Sequence, residues 1–211
     1  RPDAWARLDR MAEEHGIDMR RLCWLALGSE GRDEQTIATD QDNALILPND
    51  TTDAQKQKIL TFAHDVNVVL DACGYPLCRG GVMAGEPACC LTGDEWRARF
   101  EQWIRQGTPE DLLNASIYFD FRHLAGDATL AHSLRQEVVQ AAQQTPRFLK
   151  QMALNALTRG VALNWRGAID TDANGTLDLK LQGAASFVDA ARIFSLSLGL
   201  SQPNTRPRLE A

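Results

Sequence analysis

Two short apolar runs, separated by a glycine stop and a polar stretch, limit most strongly how this chain can fold. Cys23-Trp24-Leu25-Ala26-Leu27 is halted by Gly28-Ser29, and after ten intervening residues Asp40-Gln41-Asp42 opens a second run that ends at Leu47, before Pro48 and Asn49. Apolar runs of this length, bounded by turn residues, read as buried strands, here over 23–27 and 41–47. Asp53 to Cys73 follows, with Ile59, Phe62, Ala63, Val66, Val69, Leu70 and Cys73 recurring at helical spacing and Gly74 at the C-terminal cap. A helix over 4–15 precedes the first strand, and Tyr75 to Val82 is read as a third strand. The order strand, loop, strand, helix, strand predicts a small α/β (α+β) domain with a mixed sheet.

From Asp94 onward the pattern turns helical. Trp96, Phe100, Trp103 and Ile104 share one face. Thr108-Pro109 offers an N-cap and a first-turn proline, with Glu110 and Asp111 placed to complement the helix dipole. Leu130, Leu134, Val138 and Ala141 mark another helix, and Pro146 opens one with Phe148, Leu149, Met152, Ala156 and Leu157 inward. Phe187 to Leu198 is a helix closed by Gly199, and Asn204-Thr205 starts one more. Leu177 to Leu181 alternates, as a short hairpin strand would. Asp170 to Gly175 is a turn that lacks the closing glutamate of a calcium loop. These helices predict an antiparallel bundle. The expected division is an α/β unit over 1–92 and a helical unit over 93–211, cut short at its end. The chain starts at Arg1 and runs straight into a helical pattern, so it is read as a piece of a longer protein.

Composition narrows the function classes. The formal charge of -6 argues against a general nucleic-acid binder, which carries a basic stripe. No apolar run reaches the ~20 residues of a membrane span. Cys23, Cys73, Cys78, Cys89 and Cys90 are odd in number and irregularly spaced, which fits small buried hydrophobes in a reducing cytoplasm better than a zinc site. His15, His64, His123 and His132 are scattered and make no triad with a Ser or Cys, so hydrolase chemistry is rejected.

The chemistry lies between the two strands. Alternate strand residues share a face, so Asp40 and Asp42 project together. Paired carboxylates raise each other's pKa unless a cation sits between them, and Mg²⁺ favours one or two carboxylates together with substrate phosphates. At Gly28-Ser29 the backbone can approach a phosphate closely and a hydroxyl can donate to it, while Arg32 offers a charge-assisted fork. Each signal alone is commonly only a turn or a cap; the combination is specific.

That combination resembles the Gly-Ser…Asp-x-Asp signature of the DNA polymerase beta nucleotidyltransferase superfamily. The stretch Gly28-Ser29-Glu30-Gly31-Arg32-x-Glu34-Gln35…Thr39-Asp40-Gln41-Asp42-Asn43 is similar to one nucleotidyltransferase family within it. That family is found in bacteria behind CBS-pair or cyclic-nucleotide-binding modules and is related to the PII-protein uridylyltransferases. Gly80-Gly81-Val82-Met83-Ala84 also matches its catalytic domain, and Asp120-Phe121-Arg122-x-x-x-Gly126-Asp127, Asp178-x-Lys180, Ala191-Arg192 and Asn204-Thr205-x-x-Arg208-Leu209 match its helical partner domain.

The resemblance implies transfer of a nucleoside monophosphate from an NTP to an acceptor hydroxyl. Asp40 and Asp42 would hold Mg²⁺ or Mn²⁺, and Gly28, Ser29, Arg32 and Lys180 would hold the nucleotide. The implied acceptor is a PII-like signalling protein, and the implied N-terminal neighbours are CBS or cyclic-nucleotide-binding domains. Many superfamily members carry a third carboxylate on a neighbouring strand, whereas 75–82 holds none and offers Cys78 in that place. Two alternatives stay open: an inactive nucleotide-binding regulatory module, and a small-molecule or toxin-type nucleotidyltransferase. Asp120 is read as a structural residue ion-paired with Arg122 or a neighbour, with a role as a further active-site carboxylate kept open.

Overall fold

The computed structural model describes residues 2–36, 39–158, 169, 171 and 175–211. Among these, helix α1 (Pro2–Glu14) leads into strand β1 (Cys23–Ala26), the short helix α2 (Gly28–Gly31), strand β2 (Asn43–Leu47) and the long helix α3 (Asp53–Ala72). Strand β3 (Cys90–Thr92), helices α4 (Gly93–Gln106) and α5 (Pro109–Tyr118) and strand β4 (Arg122–Gly126) follow. The remainder is helical: α6 (Ala128–Gln143), α7 (Pro146–Leu157), α8 (Ala185–Ser197) and α9 (Thr205–Glu210).

The sheet is mixed, in the order β3-β2-β1-β4. β1 pairs antiparallel with both β2 and β4, and β2 pairs parallel with β3. All four residues of β1 and all five of β2 are buried, as their unbroken apolar runs require of strands covered on both faces. The two-residue strand period then sorts the side chains. Cys23, Leu25, Ala44, Ile46 and Leu91 join a core with Trp96, Phe100, Phe119, Leu134 and Val138 from α4 to α6. Trp24, Leu45, Leu47 and Cys90 face the other way, onto Leu8 of α1 and Phe62, Ala63 and Val66 of α3.

Local chemistry sets the helix starts. Thr52, Thr92 and Thr108 each accept from the backbone of the third helical residue, and Gln55, Glu95 and Asp111 reply to the cap. Each such capping box satisfies two otherwise orphaned amides. Gly107, at φ +62°, ends α4 in the left-handed region.

Three expectations are corrected. Residues 75–82 form an irregular loop, not a strand: Pro76 has no amide to donate and Gly81 turns at φ +69°. The third strand is Cys90–Thr92 instead, three residues whose register beside β2 no period could reveal. The alternating stretch 177–181 is no hairpin strand; Asp178 accepts from the Lys180 amide, and a π-helical turn over Lys180–Ala184 runs into α8. Leu157, expected inward, is 79% exposed at the end of α7. The Asp170–Gly175 turn falls largely outside the described residues. β4 was not anticipated at all; it comes from the region read as helical and completes the sheet.

β4 leaves the sheet through Gly126, at φ +83°, where a Cβ would lie 2.0 Å from the Leu22 carbonyl oxygen. The expected effect of Gly126→Ala is a loss of at least about 1–3 kcal/mol, since neither the backbone angle nor the carbonyl tolerates the methyl. Urea unfolding should show a lower midpoint at an unchanged slope.

Candidate active site

The Gly-Ser turn and the Asp-x-Asp pair are held side by side by the sheet itself. The register Ala26↔Asn43 continues one step, with the Leu27 amide donating to the Asp42 carbonyl at 2.9 Å. Gly28 then turns at φ +55°, and a Cβ there would come within 3.4 Å of Asp42 Oδ2. The positive φ favours glycine here, while a Cβ at that distance would make only ordinary contact with the carboxylate. Asp42 takes the strand face of Ala44 and Ile46, toward the helices. Asp40, Asp42 and Cys78 bring one ligand atom each to within 4.8 Å of one another. Burial raises the Asp42 pKa and the neighbouring Asp40 charge adds to this; a hydrogen bond with Cys78 and the charge of Lys180 oppose it. Two carboxylates and a sulfur converging on one point are a donor set that fits a divalent cation.

The alternate residues anchor the opposite face. Gln41 Nε2 donates to the carbonyls of Asn67 (2.9 Å) and Tyr75 (2.8 Å). Asn67 Nδ2 donates to Gln41 Oε1 at 2.8 Å and Asn43 Oδ1 at 3.0 Å. Asn43 Oδ1 and Asn67 Oδ1 accept from the amides of Ala84 and Gly85. This buried network fixes the rotation of β2, and with it the direction of both aspartates. It also straps the 75–85 loop to the strand, which brings Cys78 to Asp42. Asn67 had a legible position, on the apolar face of α3 with Ala63, Val66 and Leu70, but its partners lie 24 and 26 residues away in sequence. A cavity of about 210 Å³ opens on this same side, among Trp24, Gln41, Asn43, Val66 and Leu124, and neither aspartate lines it.

The loop after α2 is gripped by arginines and by the chain's C-terminal end. Asp120, fully buried, accepts from Arg32 Nη1 at 2.8 Å and from Arg192 Nη2 at 2.6 Å, and pairs with Arg208 Nη1 at 2.8 Å. Arg32 also bonds Glu34 at 2.9 Å, so the fork expected to hold a phosphate is engaged by two carboxylates. Glu34 accepts in turn from the Thr205 amide at 2.7 Å and the Thr205 hydroxyl at 3.0 Å, and Asn204 Nδ2 donates to the Arg32 carbonyl at 2.8 Å. Gly31 packs so tightly here that a Cβ would meet the Asp120 carbonyl oxygen at 2.0 Å. Arg122, one of the expected partners of Asp120, bonds the Glu30 carbonyl and pairs with Asp33. Lys180 is exposed on the π-helical turn, near enough for its charge to act on Asp42.

The comparisons with known proteins bear on this geometry. Residues 3–110, just over half of the chain, match the family described as "Putative nucleotidyltransferase DUF294". The chain belongs to that nucleotidyltransferase family. Residues 146–211 match a second model, "Putative nucleotidyltransferase substrate binding domain". No curated protein matches the chain. The first match contains Gly28, Ser29, Asp40, Asp42 and Cys78; the second contains Lys180, Arg192 and Arg208. The charge cluster on Asp120 thus joins the residues of both matches through a carboxylate that lies in neither. No helix among the described residues is long and apolar enough to cross a membrane.

Burial alone would raise the Asp120 pKa, but the charges of Arg192, Arg208 and Arg32 hold it well below the carboxylate range. Its stabilising contribution is therefore present above the unfolded value of about 3.9 and is lost as pH falls toward the folded one. Asp120→Asn should cost about 3–5 kcal/mol at neutral pH, because it leaves arginines short of their counter-charge. The gap from wild type should narrow below about pH 4. Thermal or urea unfolding across pH checks both.

Proposed function

We propose that the protein transfers a nucleoside monophosphate from an NTP to an acceptor hydroxyl, in a site built on Asp40, Asp42, Gly28 and Ser29. The observation that carries this reading is the convergence of Asp40 and Asp42 beside a glycine turn at φ +55°. Asp40 and Asp42 would hold the divalent ion, Mg²⁺ or Mn²⁺, with Cys78 beside them. When bound, the ion supplies charge neutralisation on the triphosphate.

The residues of the chain do the rest by position. Ser29 donates its hydroxyl to a phosphate oxygen, and the backbone at Gly28 allows close approach. Lys180 brings a cation from the C-terminal part toward the same phosphates; its electrostatic reach to Asp42 supports this role. Arg32 acts through its ion pairs, holding the turn, and its fork turns to phosphate only if those pairs open. The acceptor hydroxyl attacks the α-phosphorus and pyrophosphate leaves. Residues 146–211, matched as substrate binding, would present the acceptor. Resemblance to the uridylyltransferases makes a tyrosine of a PII-like signalling protein the leading acceptor, with UTP as donor. CBS or cyclic-nucleotide-binding domains would supply the regulatory input.

Cys78, standing where a third carboxylate is expected, favours a second reading, a nucleotide-binding regulatory module without turnover. Incubation with α-phosphate-labelled UTP, Mg²⁺ or Mn²⁺ and a PII-like protein separates the two. Label on the PII-like protein, lost in Asp42→Asn, supports the transferase. Saturable UTP binding with neither label transfer nor pyrophosphate release supports the regulatory module.

A further inference from the structure

We propose that Cys78 is the third protein ligand of the cation held by Asp40 and Asp42, and that its sulfur turns the site toward thiophilic divalent ions such as Zn²⁺, Co²⁺ and Cd²⁺. The inference deepens the proposed function and rests on its assignment of the two aspartates as metal ligands.

Three observations lead to it. The Cys78 sulfur and one oxygen from each aspartate lie within 4.8 Å of one another. Tetrahedral zinc with bonds of about 2.0–2.3 Å holds its ligand atoms roughly 3.3–3.8 Å apart, so side-chain movements of up to about 1 Å would close the three groups onto a common ion. The loop that carries Cys78 is pinned on both sides of it. The Gln41 amide donates to the Pro76 carbonyl at 2.9 Å and the Asn43 amide to the Val82 carbonyl at 3.1 Å, so the segment that carries Asp40 and Asp42 also holds the loop of Cys78. The other cysteines are placed differently: Cys23, Cys89 and Cys90 are buried in the cores, and Cys73 is exposed at the end of α3.

Ligand chemistry gives the selectivity. Carboxylates and water suit Mg²⁺ and Mn²⁺, whereas a thiolate adds affinity for softer ions and little for Mg²⁺. Binding replaces the S–H bond of Cys78 with a metal–sulfur bond, and the proton leaves to solvent. No change in oxidation state is involved. Zn²⁺ should therefore compete with Mg²⁺ for this site, and losing the sulfur should weaken Zn²⁺ by more than about tenfold, the scale on which even outer-sphere partners act.

The test is an absorbance titration with Co²⁺ alone, in a Cys73→Ser background that removes the exposed thiol. The expected result is a saturable thiolate-to-cobalt charge-transfer band, absent in Cys78→Ser and strongly weakened in Asp42→Asn, with unchanged far-ultraviolet circular dichroism. Competition by Zn²⁺ should erase the band far below the Mg²⁺ concentration that does so. No band, or a band indifferent to Asp42→Asn, overturns the proposal. If Mg²⁺–NTP binding then still depends on Asp42, the transferase reading stands without it; if that dependence is also missing, both fall.

Discussion

A single buried carboxylate, Asp120, ties the turn after β1 to the C-terminal helices. It follows α5, just before β4, and draws in Arg32 from the loop after α2, Arg192 from α8 and Arg208 from α9. Arg192 is further paired with Asp189 at 2.6 Å, and Arg32 with Glu34. Charges buried this deeply are costly unless mutually compensated, so the three arginines depend on Asp120 more than it depends on any one of them. The sheet and the C-terminal helices therefore meet through a specified set of charges as well as through apolar packing, which alone would accept many registers.

The same logic operates on a smaller scale at β2. The segment leading into the strand carries Asp40 and Asp42 on one side and, on the other, Gln41 followed by Asn43, locked by Asn67. A strand rotated by one residue would bury the aspartates against α3 and expose the amides. The amide network makes that rotation unfavourable, so the buried amides fix where the two aspartates point.

Much of this was legible in the sequence wherever one element carried its own signal. β1, β2 and α3 follow from apolar period and turn residues, and Thr108-Pro109 marked the start of α5. The sequence singles out Asp40, Asp42 and Cys78, whose ligand atoms lie within 4.8 Å of one another, although the strand expected over 41–47 starts only at Asn43. What stayed hidden depends on partners far apart in the chain. β3 is three residues long, and β4 is a strand only because β1 offers an open edge. Arg32 looked free to hold a phosphate because its partner Asp120 stands 88 residues away. Glu34 carried no sign of Thr205, 171 residues on. The 177–181 stretch alternates like a strand, yet the Asp178 side chain caps a helical turn there, a local bond that outweighs the period.

The central claim, that Asp40 and Asp42 with the Gly28 turn form a metal-dependent nucleotide site, is tested most directly by calorimetric titration. Each of the four NTPs would be titrated with Mg²⁺ into wild type and into Asp42→Asn. The account predicts binding that requires Mg²⁺ and disappears in Asp42→Asn while the variant stays folded, since removing one of two crowded carboxylates relieves repulsion. NTP binding of equal strength in the variant, or binding indifferent to Mg²⁺, would contradict it.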